Sequence, residues 1–170
     1  LITGASGGVG SAAVQLAKAR GAEGIAVAGA AKADAVRAIG ADRMIDRGAG
    51  LVDALGSQSV TVAIDLVVGA QWPELIEVLA RGGRYATAGA IAGPLVELDV
   101  RTLYLKDLTF FGCTFQEDAV FDNVVCCIEQ GLVRPFVART YPLADIRRAQ
   151  EDFIAKKHAG KLVLVPPAEA

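Results

Sequence analysis

The sequence predicts an α/β domain of three layers (αβα), in which helices cover both faces of a doubly wound parallel sheet. Up to Gly131, short apolar segments alternate with segments of helical periodicity, as in βαβ units with right-handed crossovers. The apolar segments are continuous rather than alternating, as expected for strands that are buried on both faces. A glycine-rich stretch, Thr3 to Gly10, separates the first strand from the first helix.

Local signals place the individual elements. Helix-forming residues rich in alanine follow the glycines, β-branched residues mark the strand that begins at Val60, and Gly82-Gly83 marks a turn into the next strand. The predicted strands are 1–3, 24–28, 43–45, 60–68, 84–88 and 108–112, with a further extended segment at 95–98. The predicted helices are 9–19, 33–39, 50–55, 72–80 and 121–129. The composition shifts after Gly131, and a strand at 136–141, a helix at 144–156 and a strand at 161–165 need not join the same sheet.

The composition excludes several classes of protein. A chain of 170 residues that is 53% hydrophobic and 21% charged can bury a sizeable core. Its net charge of −2, with both signs interspersed, gives no support for a nucleic acid or a membrane as partner. Three cysteines without CxxC spacing indicate a reducing, cytoplasmic compartment, and no apolar run approaches the roughly 20 residues that span a bilayer. Because the chain opens on half of a usual strand, we expect further residues before Leu1.

The glycine-rich stretch predicts a binding site for the diphosphate of a dinucleotide. Backbone N–H groups can approach phosphate oxygens only where bulky side chains are absent, and a helix N-terminus is electrostatically favourable for an anion. We expect N–H groups from Gly7, Gly8 and Val9, next to Ser6, to face the diphosphate, and Gly10 to let the helix pack closely on the sheet. The simpler interpretation is a tight turn without a ligand.

Two families of dehydrogenases have glycine patterns of this kind. The short-chain dehydrogenases require a Tyr-x-x-x-Lys pair, in which the tyrosine is the proton donor. The residues four positions after the three tyrosines are Gly89, Leu108 and Asp145, so this family is excluded.

The rest of the chain resembles the medium-chain dehydrogenase/reductases, in particular their quinone oxidoreductase-like branch. Five motifs occur in the expected order: GASGGVGSAAVQLAK at 4–18, IGADRMID at 39–46, AIDLVVG at 63–69, LARGGRYATAG at 79–89 and GKLVLVP at 160–166. The resemblance implies a Rossmann dinucleotide-binding domain at 1–131. It also implies that 132–170 is the segment that returns to a GroES-like catalytic domain, most of which lies outside this chain.

The region after the second predicted strand favours NADP(H) over NAD(H). An NAD site needs a carboxylate there for the ribose hydroxyls, whereas the stretch from Ala28 through Gly29 to Lys32 contains no acid. We expect Lys32 and Arg47 to bind the 2′-phosphate of NADP(H), with Lys161 as a weaker third candidate. The competing interpretations are that Lys32 is only solvated, or that Asp34 accepts from the ribose.

By the resemblance, the nicotinamide lies against the ends of the later strands, at Val68, Gly69, Gly89, Ala90, Ile91, Cys113 and Thr114. The sequence identifies no catalytic acid: Asp65 is expected to anchor a neighbouring loop, and the single histidine, His158, to be a surface or helix-capping residue. Adjacent Cys126 and Cys127 project about 100° apart on a helix, so no metal site is expected from them.

The sequence leaves three functions open. The first is an NADPH-dependent reductase of a quinone, enone or other activated carbonyl compound; the second is a zinc-dependent alcohol dehydrogenase of the same superfamily; the third is a dinucleotide-binding module without turnover. Because most of the substrate cleft is expected elsewhere, this chain alone should bind NADPH without reducing a substrate. The apolar edge formed by 95–98 and 108–112 predicts a homodimer.

Overall fold

The computed structural model describes residues 1–168. Its strands are β1 (Ile25–Ala28), β2 (Arg43–Asp46), β3 (Val60–Asp65), β4 (Leu79–Thr87), β5 (Thr109–Gly112), β6 (Val137–Pro142) and β7 (Lys161–Val165). Its α-helices are α1 (Gly8–Ala19), α2 (Ala33–Ala38), α3 (Leu51–Leu55), α4 (Trp72–Val78), α5 (Val100–Leu105), α6 (Asp118–Glu129) and α7 (Ile146–Ala155). None of the described helices is long and apolar enough to cross a membrane.

The central sheet is parallel and has the order β2, β1, the Ile2 segment, β3, β4, β5. Ile2 joins its two halves, since it bridges Ala26 of β1 on one side and Ile64 of β3 on the other. In chain order the arrangement is 3-2-1-4-5-6, which confirms the predicted doubly wound parallel sheet with helices on both faces. The winding reverses between the Ile2 segment and β3, which is where ligands bind in sheets of this kind.

Apolar side chains cover the two faces of the sheet in two clusters. Along β1, Ile25 and Val27 belong to the cluster that packs under α3 and α4, whereas Ala26 and Ala28 belong to the cluster under α1 and α2. This alternation follows from the two-residue period of a strand. Small residues on the α1 face let the helix approach the sheet closely.

Three aromatic rings pack together in the cluster under α3 and α4. The rings of Trp72, Tyr85 and Phe110 lie with centroids 5.0 to 5.7 Å apart, two of the three pairs edge to face. Such pairs add about 0.5–1.5 kcal/mol beyond the area that they bury.

The segment after α6 forms a second, smaller unit. β6 and β7 pair in parallel with each other and do not join the central sheet. Side-chain and backbone bonds fix this unit to α1: Gln15 Nε2 donates to the carbonyl of Arg134 (3.0 Å), and Gln15 Oε1 accepts from the N–H of Arg134 (2.8 Å).

The structure corrects several predicted element boundaries. The strand predicted at 60–68 ends at Asp65, because the carboxylate of Asp65 accepts the N–H groups of Val67 and Val68 and turns the chain. The segment 95–98 forms no strand, and α5, which the sequence did not predict, follows it with Asp99 accepting from the N–H of Arg101 as its N-cap. There are three smaller shifts. The strand predicted at 1–3 is reduced to one bridging residue, Ile2. The helix α4 ends at Val78 and β4 begins at Leu79, and α6 begins at Asp118.

Candidate dinucleotide-binding site

A cavity of about 670 Å³ opens at the point where the winding of the sheet reverses. The glycine-rich loop, the ends of β1 and β2, the loop after β3 and the segment around α7 form its walls. Its size and its position at the carboxyl ends of the strands are those of a site for a small molecule or cofactor.

The glycine-rich loop turns the chain from the Ile2 segment into α1. Gly4 has a φ of +60°, and the N–H of Gly7 donates to the carbonyl of Gly4 (2.9 Å), so the chain turns sharply before α1. In the structure this N–H is bonded within the turn, and our expectation that it faces a diphosphate stays a prediction. The N–H groups of Gly8 and Val9 lie in the first turn of α1, where a helix has no partners for them.

Gly10 allows the start of α1 to pack closely on the backbone of the glycine-rich loop that leads from the sheet. A Cβ at this position would lie 2.7 Å from the Cα of Ala5 and closer still to the carbonyl oxygen of Gly4. No side chain can occupy that space unless α1 moves away from the sheet.

Asp65 organises the loop at the bottom of the cavity. Its fully buried carboxylate accepts from the hydroxyls of Thr3 (2.5 Å) and Tyr85 (2.8 Å) and from the N–H groups of Val67 and Val68 (both 3.0 Å). Four donors compensate the charge of a carboxylate that would otherwise be costly to bury. The prediction that Asp65 anchors a neighbouring loop is therefore confirmed.

The loop that Asp65 holds is strained at its cavity-lining residue. Val68 has a φ of +59° and a ψ of −140°, a conformation that is costly for a β-branched side chain. Gly69 follows with a φ of +67°, and a Cβ there would lie 2.8 Å from the Cβ of Ala92.

Cationic side chains gather at the other end of the cavity, beyond β1. Lys32, Arg47 and Lys156 all line it, and Gly29 leaves space beside the guanidinium of Arg47. Burial lowers the pKa of the Lys32 ammonium, and the charges of Arg47 and Lys156 lower this pKa further. Arg47 and Lys156 therefore both repel the charge of Lys32, and an anion beside Lys32 would relieve this repulsion.

Two carboxylates in this region accept hydrogen bonds from backbone N–H groups. Asp46 accepts from the N–H groups of Ala30 (2.7 Å) and Gly48 (2.9 Å). Glu74, the single acidic residue in the described lining, accepts from the N–H of Leu51 at the start of α3. No described salt bridge pairs a carboxylate with Lys32, Arg47 or Lys156.

Among the lining residues that were not predicted as part of the site, Phe153, Lys156 and His158 come from the segment around α7. Phe153 lies in the last turn of α7, and Lys156 and His158 follow the helix. The ammonium of Lys156 lies 3.6 Å from the centroid of the Phe153 ring. His158 is partly buried at the cavity, which corrects our expectation of a surface or capping residue. No local sequence pattern marks these residues, because only the docking of α7 brings them to the cavity.

The structure brings some of the predicted cofactor residues together and separates others. In the lining are Ser6, Gly7, Gly29, Lys32, Arg47, Val68 and Ile91. Outside the lining but on the same loops are Gly8, Val9, Gly69, Gly89 and Ala90. Lys161 lies across Gly8 at the glycine-rich loop, and Cys113 and Thr114 are exposed after β5 and outside the lining.

Comparison with known proteins identifies relatives of the whole chain. Residues 8–130 match the sequence model of a family described as zinc-binding dehydrogenase. A quinone oxidoreductase of Rattus norvegicus is 29% identical over 178 residues, which are 97% of this chain and 54% of that protein. This chain thus spans about half the length of that relative.

Solved structures of dehydrogenases and reductases are also similar to this chain over nearly its whole length. A candidate alcohol dehydrogenase from Sinorhizobium meliloti 1021 is 49% identical with a TM-score of 0.91, covering 98% of this chain and 47% of that one. The 2-octenoyl-CoA carboxylase reductase CinF, in complex with NADP and 2-octenoyl-CoA, is 27% identical with a TM-score of 0.87 (99% and 44% covered). The protein yhfP of Bacillus subtilis, with NAD bound, is 27% identical with a TM-score of 0.81 (96% and 53% covered).

Proposed function

Because this chain belongs to the zinc-binding dehydrogenase family of the medium-chain dehydrogenase/reductases, we propose that it is the cofactor-binding part of an NADPH-dependent oxidoreductase. The substrate class that we propose is a quinone, an enone or another activated carbonyl compound, in keeping with the relatives that carry such names. The cavity at the reversal of the sheet is the proposed cofactor site.

The observation that carries the choice of NADPH is the group of three cations at the end of β1. A 2′-phosphate brings a charge of about −1.5 to −2 at neutral pH, and Lys32, Arg47 and Lys156 offer donors for it. NADH brings only hydroxyls to the same place, and the single acidic residue of the described lining, Glu74, already accepts from the N–H of Leu51 through Oε2. The site therefore favours the phosphorylated cofactor electrostatically.

The remaining residues bind and orient the cofactor in this proposal. The N–H groups of Gly8 and Val9 would hold the diphosphate, and Val68 and Ile91 would present an apolar wall to the nicotinamide. When bound, NADPH supplies a hydride from C4 of its nicotinamide. Thr3 and Tyr85 donate their hydroxyl protons to Asp65, so neither is placed to give a proton to a substrate.

The family name implies zinc, but the described residues do not fit a zinc site. Within 1–168, no three His, Cys, Asp or Glu side chains lie close enough together to share a metal ion. Cys113, which follows β5, and Cys126 on α6 are both exposed and lie on different segments. No step of the proposed reaction is therefore assigned to a metal held by these residues.

A titration of the intact protein with NADPH and NADH tests the choice of cofactor. We expect NADPH to bind more tightly, and Lys32→Ala, Arg47→Ala and Lys156→Ala each to weaken NADPH by about 10-fold or more, since a charged hydrogen bond contributes about 1.5–3 kcal/mol. NADH binding should change little in the same variants. Lys157→Ala, next to Lys156 but outside the cavity lining, is the matched control. Equal affinities of the unaltered protein for the two cofactors would refute the NADPH assignment.

We also propose that two copies associate through the edge of the central sheet. β5 pairs with β4 on one side only, and its Phe111 is about half exposed. Tyr104 and Leu105 on α5 and Leu95 before it add exposed apolar surface next to this edge. An edge strand with free backbone groups and apolar neighbours is suited to a symmetric pairing with a second copy.

A further inference from the structure

Lys156 ends α7 in a backbone conformation that favours glycine. Its φ is +54°, in the left-handed region, and its N–H donates to the carbonyl of Phe153 (3.3 Å). After α1 and α6, the residues with a positive φ are glycines, Gly21 and Gly131, both at +72°. A side chain larger than that of glycine has a conformational cost in this region, and such costs are typical of residues at ligand sites. We therefore expect the side chain of Lys156 to have a function.

The ring of Phe153 lies against the ammonium of Lys156. The Nζ atom is 3.6 Å from the ring centroid, which is within the range over which the negative face of an aromatic ring attracts a cation. In the part of the chain that the structure describes, no hydrogen bond or salt bridge joins this ammonium to another side chain. Because an ammonium carries three donors, the contact with the ring leaves donors of Lys156 available to an anion in the cavity.

Phe153 contributes little to the apolar core. Its side chain is 53% exposed, and it belongs to neither of the two clusters that cover the central sheet. It does line the cofactor cavity, as do Lys156 and His158, and its ring centroid is 6.1 Å from that of the His158 ring. The position of Phe153 is therefore explained by its contacts at the cavity rather than by burial.

The contact between Phe153 and Lys156 offsets a repulsion. Burial, and then the charges of Arg47 and Lys156, lower the pKa of the Lys32 ammonium, so Lys156 and Lys32 repel each other. The flexible stem of a lysine would otherwise let the ammonium of Lys156 turn into solvent. Attraction to the ring keeps this charge at the cavity before an anion binds.

We propose that Phe153 is a positioning residue for cofactor specificity: its ring holds the ammonium of Lys156 where the 2′-phosphate of NADPH binds. This inference rests on the proposed function and adds to it a residue that does not itself contact the phosphate. NADH has no phosphate at this place, so the ring contributes to the binding of NADPH alone. Phe153 thus raises the ratio of the two affinities through Lys156.

The test is a double-mutant cycle on the intact protein with Phe153→Leu and Lys156→Met. Dissociation constants are measured for NADPH and NADH. We expect Phe153→Leu to weaken the binding of NADPH by about 2- to 5-fold, as for the loss of one exposed contact between a cation and a ring, and to leave the binding of NADH unchanged. In the Lys156→Met background, the same substitution should change the affinity for NADPH by less than roughly 1.5-fold, since no ammonium is left for the ring to hold.

Two further variants keep the shape of the side chain at position 153. Phe153→Tyr retains an aromatic ring and should bind NADPH like the unaltered protein. A fluorinated phenylalanine in place of Phe153 keeps the size of the ring but weakens its negative face, so it should reproduce the loss seen with Phe153→Leu. Ile154→Ala, at the next residue of α7 and outside the cavity lining, is the control, and thermal unfolding verifies that each variant is folded.

Several outcomes would overturn this role. Equal losses for NADPH and NADH that persist in the Lys156→Met background would show that Phe153 contacts the cofactor itself. A loss with Phe153→Leu that the fluorinated ring does not reproduce would make Phe153 a packing residue. If Lys156→Met weakens the binding of NADPH and Phe153→Leu does not, the proposed function stands and this inference alone fails. Equal affinities of the unaltered protein for NADPH and NADH would refute the NADPH assignment, and this inference with it.

Discussion

At the scale of single residues, Asp65 determines the conformation at the bottom of the cavity. Its carboxylate accepts four hydrogen bonds, and two of them come from the N–H groups of Val67 and Val68. These two bonds hold Val68 in a conformation that L-residues rarely adopt. The stability of the carboxylate network thus compensates the strain at a residue that lines the proposed nicotinamide end.

The strain predicts an unusual order of stability at Val68. Val68→Gly should retain about 1 kcal/mol more unfolding free energy than Val68→Ala, because glycine adopts a positive φ without cost while alanine keeps the strain. Urea denaturation measures both values. The control pair is Val62→Gly and Val62→Ala in β3, where glycine should be less stable than alanine by about 0.5–1 kcal/mol. The same order at both positions would show that Val68 is not strained.

Because of Tyr85, the stability of the folded protein depends on pH in the alkaline range. Its side chain is buried, and this burial, with the neighbouring charge of Asp65, raises the pKa of the Tyr85 phenol well above its ordinary value of 10.0. Since the unfolded chain then loses this proton at a lower pH than the folded protein does, the stability contributed by Tyr85 falls as the pH rises above 10.0.

We therefore expect the free energy of unfolding to fall with pH above 10.0 more steeply than in Tyr85→Phe. The difference in slope should approach, and not exceed, about 1.4 kcal/mol per pH unit. Urea denaturation at a series of pH values from 9 to 11 measures both slopes. Parallel curves for the two proteins would contradict the raised pKa.

At the scale of elements, the packing of α1 on the sheet depends on the absence of a side chain at Gly10. The helix carries the N–H groups of the glycine-rich loop, so its distance from the sheet also sets the position of the proposed diphosphate site. Val14, fully buried on the same helix, continues the contact with the sheet.

Gly10→Ala is expected to reduce the free energy of unfolding by about 3 kcal/mol, because its methyl group would overlap the backbone of Gly4 and Ala5. Cofactor affinity should fall as well. Gly112→Ala is the matched control, since a Cβ there meets no atom within 4 Å and its φ is not positive. Denaturation curves that coincide for Gly10→Ala and the unaltered protein would show that α1 can move without cost.

At the scale of the whole molecule, the strand order and the docking of the unit after α6 decide which residues line the cavity. The reversal of the winding brings the ends of the Ile2 segment and β3 together, and the unit after α6 then closes one side of the cavity. Lys156 reaches the cations of the central domain only through this docking, which the bonds between Gln15 and Arg134 help to fix.

The proposed pairing through β5 has a direct test at this scale. Light scattering of the intact protein should give the mass of a dimer, and Phe111→Glu should give a monomer by placing charges within the interface. Ile154→Glu, at a highly exposed residue of α7, should leave the mass unchanged. A monomer at high protein concentration without any substitution would refute the pairing.

The sequence predicted the parallel sheet, the position of the glycine-rich loop, the packing role of Gly10 and the anchoring role of Asp65. These features depend on residue types and periods that act over a few positions, such as continuous apolar strands and small residues at a helix start. It missed α5, because the signals there are weak and the preceding segment is apolar enough to resemble a strand.

The sequence by itself therefore determined the fold class and the place of the site, because strand period, helix capping and glycine content are local properties. Only the tertiary structure decided which side chains share the cavity. In the structure, the N–H of Gly7 is bonded within a turn, and Phe153, Lys156 and His158 line the cavity. The side chain of Lys161 lies against Gly8. The contact between Lys161 and Gly8 joins residues that are more than a hundred positions apart in the chain, and no local pattern records where a docked segment places its side chains.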